Sequence, residues 1–476
     1  GFGWFYFNYD PNYPWTIKDK YYNDKWNSTG SMTYKRMLVE AIFNINNKSR
    51  QFLIRNNKIL IFDDTRGRYK EITLYGVHIS RPEIFDPTKD QAFNNWRDVD
   101  IFWQKDLDMI KNDLNANSVR LGITPSWMNY NTAEYGYRLD YYIDTAIQRA
   151  MERNLFVILD FHAVDSSVYP YYKGGITYGR KYHPTKTTYE LMQEFWARYA
   201  PKYSTYPYTK YVIFELWNEE VRDAEVLDNW DDYKQKMEYV LTNIIRPVAP
   251  NNLVIVNGLN NGLNLRRVLE PGRSIVDPSN LLVYGWHPYP NSVKPTYLER
   301  EALSDYLATA RSSWNWNLKG PNTRYVSDLY PVVITEFGWR DPNVRTDLTD
   351  AQKNEYGGRY VRGDGSFDYG KSILTYAYER GIKGFFPFRF YYEKLAIVSS
   401  MPDWWNPSRG YVYTQDYGTI IKQWYTSNNR VSPAGLTIQQ DQNNNGVWDS
   451  GESIVAAPEW QNNEAAAITV MGNASN

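Results

Sequence analysis

The feature that most limits what this chain can fold into is an alternation, repeated eight times between Glu71 and about Asn428, of short apolar runs with longer amphipathic ones. The short runs read as strands buried on both faces: Ile72 to Ile79, Ser118 to Ile123, Phe156 to Ala163, Tyr211 to Trp217, Leu253 to Asn257, Leu281 to Trp286, Val332 to Phe337 and Ile382 to Phe388. Helical patterns separate them at Asp98 to Leu114, Tyr141 to Arg153, Tyr189 to Tyr199, Trp230 to Ile245, Thr296 to Ala310 and Lys371 to Arg380. The fifth, near Arg266, is weak, and the eighth covers Thr414 to Tyr425. Strict strand and helix alternation means parallel strands joined by right-handed crossovers. Eight such units close into a barrel, so the expected fold is α/β, a (β/α)8 TIM barrel.

The flanks do not follow this pattern. Residues 1–50 are aromatic and irregular, with a short helix expected around Tyr34 to Phe43, and are expected either to form an extension packed on the barrel or to belong to a separate small unit. From Gln51 two apolar runs flank Asn56-Asn57, which reads as a hairpin covering the barrel bottom. The catalytic unit is thus expected over 51–428, with a small β appendage and tail over 429–476. Within that appendage, 441–452 reads D-Q-N-N-N-G-V-W-D-S-G-E and fits the spacing of a calcium loop at every fixed position. Asp441, Asn443, Asn445, Val447 through its carbonyl, Asp449 and Glu452 are the expected ligands, and Gly446 permits the turn. The flanking segments read as strands, so the expectation is a structural calcium staple rather than a helical sensor.

Composition excludes several classes. With 53 basic and 54 acidic residues there is no net field for nucleic acid or an anionic membrane. No apolar run reaches the ~18 residues of a membrane span. Cysteine is absent, which removes disulfides and thiolate chemistry. The 43 Tyr and 18 Trp exceed what a core needs, and such rings stack on sugar faces. The chain opens at Gly1 without a signal pattern, as a trimmed or mature piece would.

In a (β/α)8 barrel the active site lies at the C-terminal ends of the strands. There the sequence puts His78, Arg120, Asp160, His162, Asn218, Glu219, Asn257, His287, Tyr289 and Glu336. Glu219 closes strand four and Glu336 closes strand seven, positions that face each other across the mouth. Two such carboxylates suit cleavage of a glycosidic bond: one protonates the leaving group, the other attacks the anomeric carbon or activates water. A gap of ~5–5.5 Å means retention, and a wider one inversion. Alternation along strand four predicts Glu215, Trp217 and Glu219 on one face, with Asn218 and Glu220 on the other.

N-S-V-R-L at Asn117 to Leu121, L-D-F-H at Leu159 to His162, W-N-E at Trp217 to Glu219, W-H-P-Y at Trp286 to Tyr289 and T-E-F-G at Thr335 to Gly338 occur in order on successive strands. This set resembles glycoside hydrolase family 5, from about Phe52 to Tyr425. The resemblance implies a retaining β-glycosidase with Glu219 as acid/base and Glu336 as nucleophile. It also implies that Asn218 binds the sugar 2-hydroxyl, Arg120 keeps Glu336 ionised, Tyr289 orients it, and His287 and His162 line the cleavage subsite. Two alternatives stay open: Arg120 pairing with Glu215, and His162 as a satisfied core histidine.

The chain also departs from the family pattern. Glu220 stands where Pro usually follows the acid/base, and its charge is expected to matter if it lies near Glu219. His78 replaces the usual Asn of strand one. Strand eight, G-F-F-P-F-R-F, lacks the usual Trp platform, which leaves Phe388 or Arg389 in its place. Trp127 is another candidate platform, and 164–184, 339–368 and 391–411 are expected cleft loops. The resemblance points to an extracellular endo-acting β-1,4-glucanase, with mannan or mixed-linkage glucan as alternative substrates. A metal-dependent barrel hydrolase would want more than four histidines. A catalytically silent polysaccharide-binding protein is the alternative of a different class.

Overall fold

The computed structural model describes residues 50–79 (65 excepted), 99–130, 133, 138–165, 185–289, 303–320, 324–339, 369–391, 396–400, 410–414, 417–429, 431–441 and 454–462. Eight parallel strands form the barrel: Leu74–Tyr75 with His78–Ile79, Ser118–Ile123, Phe156–Phe161, Val212–Glu215, Val254–Asn257, Leu282–Trp286, Val332–Phe337 and Gly384–Pro387. Strand one is broken into two short pieces, and the break is what closes the ring. Leu74 pairs with Gly384 of strand eight, whereas His78 pairs with Arg120 of strand two. The hydroxyl of Tyr425, on the last helix, sits 2.6 Å from the Gly76 carbonyl and 2.7 Å from that of Phe385, clasping the seam.

Below the barrel the expected hairpin, Phe52–Arg55 with Lys58–Asp63, gains a third strand, Arg68–Ile72. Its turn residue Asn56 takes a φ of 55°, a conformation Asn tolerates better than most residues. Phe52, Ile59 and Ile61 are buried against Ile158, Ile213, Ile255, Val283, Val333 and Phe386, contributed by six barrel strands. This apolar plug fills the bottom and leaves the polar groups to the other end.

Among the described residues, seven helices run outside the barrel where the sequence placed helical patterns, and the fifth crossover holds only the short 3-10 turn Arg266–Leu269. The helix Thr188–Lys202 shows why they form. Thr187 and Glu190 cap its start reciprocally, and Leu191, Met192, Phe195, Trp196 and Tyr199, spaced three and four apart, are buried on the barrel. The sixth helix, Leu303–Leu318, continues beyond the expected end at Ala310. Its late asparagines resemble a helix end, but Trp314 and Leu318 are buried and carry the helix through them. Among the described residues no helix is long and apolar enough to cross a membrane.

Strands Val431–Asp441 and Ile454–Asn462 pair as an antiparallel hairpin, with Asp441 opposite Ile454. The hairpin thus brackets the expected calcium loop. Asn443, Asn445, Val447, Asp449 and Glu452 lie outside the described residues, as do residues 1–49, the cleft-loop stretches 166–184, 340–368 and 401–409, and His183.

Candidate active site

The site is assembled around Arg120, which strand two holds fully buried inside the barrel mouth. Its guanidinium donates to both oxygens of Glu215 on strand four, at 2.7 and 2.9 Å. It lies 2.9 Å from Asp160 on strand three and 2.8 Å from Glu336 on strand seven. It also donates to Asn218 Oδ1 at 2.6 Å and meets His78 Nδ1 at 3.1 Å. Since a guanidinium only donates, the facing His78 nitrogen accepts and the ring's proton sits on Nε2. The two expected readings of Arg120 are therefore not exclusive: it pairs with Glu215 and with Glu336 together.

One cation among three buried carboxylates sets their ionisation. Burial works against the charge on Glu336, but Arg120, together with the positive charge that the facing histidines carry when protonated, outweighs it and holds its carboxyl well below the usual range. Glu215 is likewise lowered, with Arg120 overcoming burial. Asp160 goes the other way. Burial, opposed by Arg120 but reinforced by Glu215, pushes it up to about 6. Its Oδ2 also meets His162 Nδ1 at 2.7 Å.

Glu336 is held at its second oxygen by the Tyr289 hydroxyl at 2.8 Å. Burial and the adjacent Glu336 charge push that phenol far above its ordinary range, so it stays a donor. Glu219 lies between His287 Nδ1, 3.0 Å from its Oε1, and Asn261 Nδ2, 3.1 Å from its Oε2. An oxygen of Glu219, one of Glu336 and a nitrogen of His287 all lie within 4.8 Å of one another. His78, Asp160 and His162 make a second group of that spacing among the described residues. There the guanidinium beside Asp160 already supplies the charge a cation would bring.

The alternation expected along strand four stops at Glu215. The backbone then changes partner, from Ile255 of strand five, bonded by Leu216 N, to the strand-three side, where Asn218 N and Glu219 N bond to Phe161 and Ala163. Asn218 and Glu215 consequently both reach Arg120, contrary to the expected division, and Trp217 turns to pack on Phe161 at 5.9 Å. Glu220 pairs beside Asp165 and lies buried against Arg222, with contacts of 3.2 and 3.3 Å. Arg222 continues to Asp232 at 2.8 Å. The extra carboxylate is thus part of an ion-pair chain leading to the helix Leu227–Val240.

Of the candidate aromatic surfaces, Trp127 is a correction. The 3-10 turn Pro125–Tyr130 folds its ring back on Tyr142 at 6.0 Å with 4% exposure, so it offers no open face for a sugar. Phe388 stands at the rim of strand eight, its ring 4.8 Å from His78 and parallel to His162 at 6.4 Å. The guanidinium of Arg389 lies 4.4 Å from its centre. Sequence reasoning put Asn257 at the mouth and Thr335 in a motif without giving either a role, and did not single out Asn261. Their partners are on other strands, and barrel register is what brings the partners together.

A (β/α)8 barrel whose mouth presents two facing carboxylates, one held by Arg and Tyr, belongs to the barrel glycoside hydrolases. The model of cellulase, glycosyl hydrolase family 5, matches residues 86–382, more than half of the chain, and the protein belongs to that family. It is a glycoside hydrolase. Its fold is similar to a β-glucanase of Saccharophagus degradans, at 22% identity over 80% of this chain and 94% of that one, with a TM-score of 0.56. It is also similar to the hyperthermophilic endocellulase of Pyrococcus horikoshii, at 17% identity over 79% and 99%, with a TM-score of 0.54. No curated protein sequence matches the chain.

Proposed function

We propose that the protein is a retaining, endo-acting β-1,4-glucanase that uses Glu336 as nucleophile and Glu219 as acid/base. The observation that carries the proposal is the pair of carboxylate oxygens within 4.8 Å. Nearest oxygens that close fit the narrow carboxylate separation of direct attack, ~5–5.5 Å, rather than the wider one of inverting enzymes. In the first step ionised Glu336 bonds to the anomeric carbon, the bond to the leaving oxygen breaks, and Glu219 gives that oxygen its proton. In the second, Glu219 takes a proton from water, whose oxygen attacks the same carbon and releases Glu336. Configuration is inverted twice and so retained.

The surrounding groups fit these roles. Arg120 and Tyr289 keep Glu336 ionised and pointed. With its Oδ1 taken by Arg120, Asn218 keeps a buried Nδ2 that has no partner among the described residues, a donor suited to the sugar 2-hydroxyl. A glucan is favoured because the S. degradans β-glucanase has been crystallised with cellotetraose. An extracellular setting fits a polymer substrate, and calcium held by 441–452 is part of the same proposal. The test is reducing-sugar release from soluble β-1,4-glucan, mixed-linkage glucan and mannan, with the anomer of the first product read by NMR. Cleavage of the β-1,4-glucan with β-anomer formed first, abolished in Glu336→Gln with polymer binding kept, is expected. No cleavage of any polymer, or an inverted first product, overturns the proposal.

A further inference from the structure

Asn257, buried at the end of strand five, is held in one orientation by what surrounds it. Its Nδ2 faces three groups that can only accept: Glu215 Oε1 at 2.6 Å and the carbonyls of Trp217 and Asn218 at 3.0 and 2.8 Å. Flipping the amide would set its oxygen against all three. Its Oδ1 therefore faces Thr335 Oγ1, at 3.2 Å. Room for this comes from Gly285 on strand six, where any Cβ would stand 1.6 Å from that oxygen.

A hydroxyl has one proton, and Asn257 Oδ1 can only accept it. Thr335 Oγ1 must then accept from its other neighbour, His287 Nε2, at 2.9 Å. A neutral His287 so arranged carries its hydrogen on Nε2 and turns a bare Nδ1 toward Glu219 Oε1, 3.0 Å away. Two lone pairs at that distance need a proton between them.

We infer that Asn257 and Thr335 are positioning residues that fix the tautomer of His287, so that His287 and Glu219 hold one proton between them and Glu219 meets its substrate as an acid. The inference rests on the reading of Glu219 as acid/base. A turn after strand five supports it from the other side. Asn260, Asn261 and Gly262 take φ values of 58°, 59° and 71°, a run of left-handed backbone fastened by Asn260 N to Arg222 O and Asn261 N to Glu220 O. It delivers Asn261 Nδ2 to Glu219 Oε2 and Gly262 O to His287 N. Glu219 Oε2 is thereby occupied as an acceptor, which leaves the shared proton on the Oε1 side. Gly262 cannot be replaced cheaply, because a Cβ there would lie 2.6 Å from the His287 ring.

Among the described residues, the titratable groups facing the pair are Glu215 and Glu336 from strands four and seven and the Tyr289 hydroxyl, with Arg120 behind Glu215 and Glu336; strand five offers only neutral amides. A change confined to Thr335 leaves all of them in place. The chain has four histidines, so protein labelled with nitrogen-15 histidine and read by long-range proton–nitrogen NMR reports each tautomer, with His287→Gln assigning the peak. His287 is expected to carry its proton on Nε2. Thr335→Val is expected to spread it over both nitrogens and Thr335→Ser to restore it.

In parallel, kcat on soluble β-1,4-glucan is measured against pH. Thr335→Val is expected to lose rate at least about threefold more at the alkaline limb than at the acid one, with KM within about twofold, and Thr335→Ser to restore the limb. A proton on Nδ1 in the parent protein, or an alkaline limb unmoved in Thr335→Val, overturns the inference. Should Thr335→Val not fold, the parent spectrum alone decides. Glu219→Ala separates this from the underlying reading: if it slows an aryl glycoside that needs no leaving-group proton as much as the polymer, the acid/base role fails, whatever the tautomer.

Discussion

Replacing Arg120 by Met keeps an unbranched side chain and removes the charge around which the mouth is built. In the native protein that guanidinium is fully buried and serves Glu215, Asp160 and Glu336 together. Removing one partner of a single buried ion pair costs about 3–5 kcal/mol. With three carboxylates orphaned, the loss near neutral pH is expected at the upper end, about 5 kcal/mol, against a total stability of about 5–15 kcal/mol. At about 2–4 °C per kcal/mol for domains of 150–250 residues, the melting temperature should fall on the order of 10 °C. The sign of the pH dependence follows from linkage. Glu215 and Glu336, depressed in the native state, contribute stability present above their unfolded pKa and lost as pH falls. Without Arg120 all three carboxyls rise, and Asp160 starts from about 6 even with the cation in place. The penalty is therefore largest at neutral pH and shrinks as acid neutralises the orphaned groups. Thermal melts of both proteins by circular dichroism, at about pH 7.5 and about pH 5, should show the gap between them narrowing by roughly half. An equal gap at both values would refute the reasoning and assign Arg120 to packing.

Arg222→Ala strands Glu220 in the protein interior and is expected to destabilise by about 3–5 kcal/mol, with Glu220→Gln in the same chain recovering most of it in denaturant titrations. For the C-terminal hairpin, calcium at about a hundredfold excess over Kd is expected to raise its stability by about 2.7 kcal/mol, an effect lost with chelator and in Glu452→Gln. Melting unchanged by calcium would remove the ion from the proposal.

The barrel was legible because buried parallel strands are continuous apolar runs, and eight of them at βα spacing admit one architecture. The mouth was legible as placement, since Arg120, Glu219 and Glu336 stand at or near strand ends and Tyr289 just beyond one, whereas the roles given to them came from the family resemblance. It was not legible where the partner is set by barrel register. That Asn257 meets Thr335 depends on the packing of strands five, six and seven and on the side-chain-free gap at Gly285. The ion pair of Glu220 with Arg222 was out of reach for a related reason. After Leu216 the amides of strand four stop alternating between strands five and three and turn to strand three, and no local pattern marks that change. Trp127 failed because an aromatic residue after a strand reads alike whether the following turn opens outward or folds back on a helix.

Strand one, split between the two ends of the sheet, has a consequence for how the molecule comes into being. Leu74 finds its partner Gly384 only after most of the chain has been made. Until then the nascent sheet exposes the free edge of its growing strand, and the plug formed by Phe52, Ile59 and Ile61 lacks the ring of side chains it will fill. Loop closure over such a span is entropically slow and leaves unpaired edges open to the wrong neighbours. The Tyr425 clasp arrives later still, on the last barrel helix. Completion of this fold is thus a late event in synthesis, and truncation before the final helix is expected to yield an aggregating chain rather than a smaller barrel.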